Sequence, residues 1–165
     1  MTRAMAAALL AAVAITMPAQ ARAPKEHSHG ESLRHQNFAA GEPGNPHEGA
    51  VQIVITMQET YDGKMLFAPD KVSVKPGEQV LFVLTNYGNV DHSFVIGTDG
   101  EPKEQRIGSE KAEPNARFVP AASQQQLLWR FSKPGRYEFA SVLPGQYARG
   151  MRGTISVSDT PPADE

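Results

Sequence analysis

The chain contains no cysteine. That absence removes disulfide staples, thiolate metal sites and cysteine nucleophiles together, so the stability of this 165-residue chain must come from a packed core. Long apolar runs are also missing. The one near the N-terminus, from Ala4 to Met17, falls short of the about 20 residues that a membrane-spanning helix needs and ends at Pro18. Charge is close to balanced, with 16 Lys and Arg against 18 Asp and Glu and a formal net charge of −2, which gives no basis for nucleic-acid binding. A phosphate-cradling Gly-rich loop, a Ser-His-Asp set and a His-Glu zinc helix are absent as well, and no enzyme is expected.

The N-terminus has the pattern of an export signal. Arg3 precedes the apolar run, and Pro18-Ala19-Gln20-Ala21 closes it as a small-residue cleavage site, so residues 1–21 are expected to be removed after Ala21. The mature protein is then periplasmic or secreted, and loss of the +1 of Arg3 takes its formal charge from −2 to −3. Residues 22–49 show almost no apolar periodicity and are expected to form a flexible tether. The tether carries His27, His29, His35 and His47, four of the five histidines of the chain. His27 and His29 can place two imidazoles on one copper, nickel or zinc ion, although a polar linker that happens to contain histidine has the same composition.

From residue 50 to 158 the pattern is that of short strands. Val51, Ile53, Ile55 and Met57 alternate with polar residues; Asp62-Gly63 turns the chain; Met65 and Phe67 precede a second turn at Pro69-Asp70. Lys71–Lys75 is a short strand, Pro76-Gly77 a turn, and Gln79–Thr85 is apolar on both faces, which predicts a central strand. His92–Ile96, Gln124–Phe131 and Arg136–Ser141 follow, and residues 97–122 are expected to form a long excursion with one helical turn near 103–110. Residues 159–165 are a frayed tail. Six to eight such strands without an amphipathic helix predict an all-β, Greek-key β-sandwich.

The last strand pair encloses a loop broken by Pro144, Gly145 and Gly150, which presents Ser141, Gln146 and Met151 together, while His92 opens an earlier strand after the turn Tyr87-Gly88-Asn89. In FASVLPGQYARGMRGTISV and TNYGNVDHSFVIG the chain resembles the cupredoxins, most closely the bacterial periplasmic cupredoxin-like proteins associated with copper tolerance. The resemblance runs from Val51 to Val157. It implies a copper site made of a histidine from the earlier strand and a loop reading Cys, four residues, His, four residues, Met. His92 and Met151 match that set. Ser141 stands where the thiolate belongs and Gln146 where the second imidazole belongs, so the type 1 site is degenerate.

A serine hydroxyl stays protonated at neutral pH and cannot supply the copper–thiolate bond, and an amide oxygen is a poor substitute for an equatorial imidazole. Blue-copper electron transfer is therefore not the expected function. What remains is an imidazole and a thioether, both acceptable to Cu(I), with Gln146 as a third donor. Arg149 and Arg152 flank Met151 and raise the cost of a nearby cation. The expected function is periplasmic copper handling through the tail histidines, the His92/Met151 pair or both, with copper as ligand and a periplasmic protein as a possible partner. Two alternatives stay open: a metal-free β-sandwich interaction module contacting its partner through Arg149 and Arg152, in which His92 caps the loop and Met151 fills space, and an electron-transfer cupredoxin with an atypical site. Deleting residues 22–49 is expected to leave the unfolding transition unchanged and to remove most Cu(II) or Ni(II) binding. Metal titration of the truncated and full chains checks the second of these: equal binding would show that the tail histidines contribute nothing.

Overall fold

The computed structural model describes residues 38–98 and 113–160. Ten strands are formed among them: β1 Glu42–Pro43, β2 Val51–Glu59, β3 Met65–Ala68, β4 Lys71–Val74, β5 Gln79–Asn86, β6 His92–Thr98, β7 Ala116–Val119, β8 Gln124–Arg130, β9 Gly135–Ala140 and β10 Arg152–Val157. One sheet has the order β1-β8-β5-β2-β3 and the other β4-β10-β9-β6-β7. Most neighbours are antiparallel, while β2 with β5 and β4 with β10 run parallel.

The apolar alternation explains the strands. In β2, Ile55 and Met57 are buried while Val54 and Gln58 face outward. β5 lies in the middle of its sheet and is buried at nearly every position, as apolar residues on both faces predict. Between the sheets, Phe67, Phe82, Phe94, Phe131 and Phe139 pack with Ile55, Leu84 and Ile155. Ring pairs Phe67–Phe94, Phe67–Phe139 and Phe94–Phe139 lie 5.8, 5.2 and 5.1 Å apart, contacts worth about 0.5–1.5 kcal/mol each beyond the area they bury.

Two segments differ from the sequence expectation. The tether expected over 22–49 is part of the fold from Phe38 onward: Ala40 is buried, Phe38 packs edge-on against Trp129 at 5.2 Å, and β1 pairs with β8. Gly44 N–H donates to the Leu128 carbonyl, Gln79 bonds Asn45, Glu48 and Gly49, and Glu48 pairs with Arg130. Tertiary contacts hold this stretch where periodicity gave no signal. Within the expected 97–122 excursion, Ala116–Val119 forms β7 on the edge beside β6. The helical turn expected near 103–110 lies outside the described residues, as do positions 161–165 of the expected tail.

The strand count of ten exceeds the expected six to eight because of these edge elements; the all-β sandwich is as read. The docked segment reverses the stability expectation for the tail. Removing residues 22–49 strips Phe38, Ala40 and β1 from Trp129 and β8 and is expected to lower stability by about 2–3 kcal/mol, whereas removing 22–37 leaves those contacts in place and changes it little. Urea unfolding midpoints of the two truncations check this.

Candidate metal centre

Parallel pairing sets one end of the sandwich. β2 runs alongside β5 with Met57 opposite Asn86, so Glu59 projects past the end of β5 toward the loop 87–91. Ile55, Met57 and Glu59 share one phase of the strand, which brings a carboxylate to the inward-facing side. Asn86 is 1% exposed and shapes the loop: its amide N–H groups reach the carbonyls of Val90, Val119 and Pro120, and its oxygen accepts from Gly88 N–H at 2.8 Å. β6 then starts at His92, and β9 ends beside it at Ala140, so His92, Ser93, Ser141 and Gln146 meet, all buried.

Their contacts are specific. His92 Nδ1 lies 2.9 Å from Gln146 Oε1, and that oxygen also accepts from the Ser141 hydroxyl at 2.8 Å. Gln146 Nε2 donates to the Asp91 carbonyl at 2.8 Å, which fixes the direction of the amide. Ser141 Oγ sits 3.0 Å from Ser93 Oγ and accepts from the N–H groups of Ser93 and Leu143 at 3.3 and 3.4 Å. Val142 N–H donates to Ser93 Oγ at 3.0 Å. Met151 is fully buried, and its backbone is tied to the same residues: Ser141 N–H donates to its carbonyl, and its N–H donates to the Gln146 carbonyl.

On the other side of the ring, His92 Nε2 is 3.0 Å from Glu59 Oε1. The approach is close but lacks the alignment of a hydrogen bond, so Nε2 has no well-formed hydrogen-bond partner. Partial burial alone would raise the Glu59 carboxyl, but the N–H groups of Asn89 and Val90 together with His92 outweigh it and hold it below the usual carboxylate range. Glu59 is thus an anion at neutral pH.

Both ring nitrogens of His92 therefore face oxygen acceptors. A neutral imidazole has one N–H, so one contact sets lone pair against lone pair unless the ring carries a cation, either a second proton or a metal ion. Turning the Gln146 amide over would only move the conflict to the Asp91 carbonyl. Type 1 copper does not fit these residues, because Ser141 gives a hydroxyl in place of the thiolate. The donors brought together are an imidazole nitrogen and an amide oxygen with a carboxylate behind the ring, and a thioether from Met151 joining them would make the set acceptable to a soft monovalent ion. Among the described residues, no group of three or more His, Asp or Glu gathers to hold a harder ion.

The structure thus links His92 and Ser141 through the Gln146 amide oxygen and ties the Met151 backbone to Ser141 and Gln146. Arg149 and Arg152 are exposed, and the Arg152 guanidinium lies over the Tyr147 ring at 5.0 Å. His27 and His29 lie outside the described residues. His47 is exposed in the turn that Asn45 fastens to Gln79, at the opposite end of β5 from Asn86, about 20 Å of strand away. Sequence reasoning missed Glu59 and Ser93. The signal for Glu59 was its phase, in register with Ile55 and Met57; nothing in the sequence marks Ser93.

Residues 54–158 match the family of copper-binding proteins of the plastocyanin/azurin type. The chain belongs to that family. A relative described as a copper-resistant cuproprotein, CopI, from Rubrivivax gelatinosus is 33% identical over 160 residues, covering 92% of this chain and 94% of its own. A protein of the same description from Pseudomonas aeruginosa is 26% identical over 72% of this chain and 82% of its own. Among solved structures, auracyanin A of Chloroflexus aurantiacus, a "blue" copper protein, superposes with a TM-score of 0.52 at 19% identity, over 67% of this chain and all of that one. That likeness shows the fold. No helix among the described residues is long and apolar enough to cross a membrane.

If this family member has kept the geometry of its site, the lost donors can be restored. The Ser93 and Leu143 N–H groups already point at Ser141 Oγ, as a thiolate acceptor would need. Ser141→Cys combined with Gln146→His is expected to give an intense visible thiolate-to-copper absorption on adding Cu(II). A folded double variant that binds Cu(II) without that band would show that the frame has drifted.

Proposed function

We propose that this protein is an exported, non-enzymatic copper-handling protein of the periplasm that takes copper as cargo in the monovalent state. His92 and Met151 hold the ion, with Gln146 as a third donor, and the segment carrying His27 and His29 forms a second, separate binding element. Residues 1–21 act as the export signal. The observation that carries this reading is the contact of His92 Nδ1 with Gln146 Oε1 at 2.9 Å while Nε2 faces Glu59. Two lone-pair donors facing each other inside the protein are relieved by a cation placed on them. The relatives described as copper-resistant cuproproteins support copper as that cation. The absence of a thiolate argues against one-electron transfer of the blue-copper kind and for holding the ion in one oxidation state.

One observation favours a second reading, a metal-free interaction module. The bonds of Ser141 to Gln146 and of Gln146 to Asp91 close the site with protein groups alone, and exposed Arg149 and Arg152 would then be the contact surface.

Anaerobic competition against a chromophoric Cu(I) chelator separates the two. The wild-type protein is expected to retain Cu(I), and His92→Ala and Met151→Ala are each expected to weaken binding about tenfold or more, near 1.4 kcal/mol. The double variant is expected to lose little beyond either single one, because both act on one ion. A wild-type protein that yields all its Cu(I) to the chelator would favour the interaction module.

A further inference from the structure

Glu59 reaches His92 by an arrangement that involves three elements. β2 carries it past the end of β5; the N–H groups of Asn89 and Val90 hold its carboxylate at 2.9 and 3.4 Å; and Gly88 leaves room for it. A Cβ on Gly88 would stand 2.3 Å from Glu59 Oε1, so this glycine is what permits the close approach. The His92 side chain is fully buried, whereas Glu59 is 20% exposed. The imidazole is therefore flanked on both sides, by the Glu59 carboxylate near Nε2 and by the Gln146 amide oxygen at Nδ1.

We infer that Glu59 is a positioning residue for copper: its carboxylate, 3.0 Å from Nε2 though not aligned for a hydrogen bond, favours the His92 proton on that nitrogen by its charge, leaves Nδ1 as the nitrogen offered to the ion, and compensates a bound monovalent cation. This deepens the copper reading and rests on it. A carboxylate on the far nitrogen of a ligating histidine selects the tautomer and raises the basicity of the near nitrogen. It has a second consequence at this site. With no thiolate present, Cu(I) held by neutral donors brings an uncompensated positive charge into a largely buried place, and the ionised Glu59 beside the ring offsets it.

The test uses the full-length protein and three variants. Glu59→Ala removes both carboxylate and acceptor. Glu59→Gln keeps an oxygen for Nε2–H and removes the charge. Gly88→Ala leaves Glu59 in the sequence but pushes its carboxylate away from the ring; because the obstructed group is the end of a flexible side chain, this variant should fold. Cu(I) affinity is measured by anaerobic chelator competition. Long-range proton–nitrogen NMR of the Cu(I)-loaded protein reports which ring nitrogen carries the proton, a signature that general destabilisation does not move. Glu59→Ala and Gly88→Ala are expected to lower affinity about 10–100-fold and to lose the single Nε2–H tautomer, with Glu59→Gln retaining the tautomer at intermediate affinity. If wild-type protein binds Cu(I) and both Glu59→Ala and Gly88→Ala match it in affinity and tautomer, the role of Glu59 is overturned while copper binding stands. If wild-type protein holds no Cu(I), the copper reading fails and this inference with it.

Discussion

The buried imidazole of His92 is the constraint around which one end of this protein is arranged. A fully buried ring with a polar atom on each side has to find partners for both, since leaving one unmatched costs about 1–3 kcal/mol. The groups beside it come from distant parts of the chain: Glu59 from the end of β2 and Gln146 from beyond β9, the latter held in turn by the Ser141 hydroxyl and the Asp91 carbonyl. Each is delivered by sheet pairing. The parallel β2–β5 ladder brings Glu59 to the loop, and the antiparallel β6–β9 ladder brings Ser141 beside Ser93. The aromatic core beneath, with Phe94 two residues after His92 and Phe139 two residues before Ser141, keeps the two strands from shifting relative to each other.

Read as a cation site, the arrangement has a consistent chemistry. The Ser141 hydroxyl donates to the Gln146 amide oxygen, and that oxygen lies 2.9 Å from His92 Nδ1. What this leaves is a neutral imidazole nitrogen and an amide oxygen backed by a carboxylate, without the thiolate on which rapid copper electron exchange depends. The stretch from Phe38 to Pro43 joins the fold beside β8, at the end of the sandwich far from His92, while His27 and His29 lie outside the described residues.

Much of this was legible in the sequence wherever short-range pattern decides structure. Alternation at Ile55 and Met57, two-faced apolarity in β5 and Pro-Gly or Asp-Gly turns gave the sandwich, and motif spacing singled out His92, Ser141, Gln146 and Met151. The sequence was silent where structure depends on contacts between remote residues. β1 is two residues long, contains Pro43, and exists because Trp129 and Arg130 accept it. β7 lies among glycines and prolines that masked it. Glu59 lies just past the alternation that runs from Val51 to Met57, and only the register with β5 places it against a histidine 33 positions later.

X-ray absorption of the Cu(I)-loaded, full-length protein tests the central claim most directly, because it identifies the atoms around the ion. The account predicts a sulfur scatterer together with an imidazole, with the sulfur contribution gone in Met151→Ala and the imidazole contribution reduced in His92→Ala. A spectrum of nitrogen and oxygen scatterers alone, unchanged in both variants, would place the copper elsewhere and contradict it.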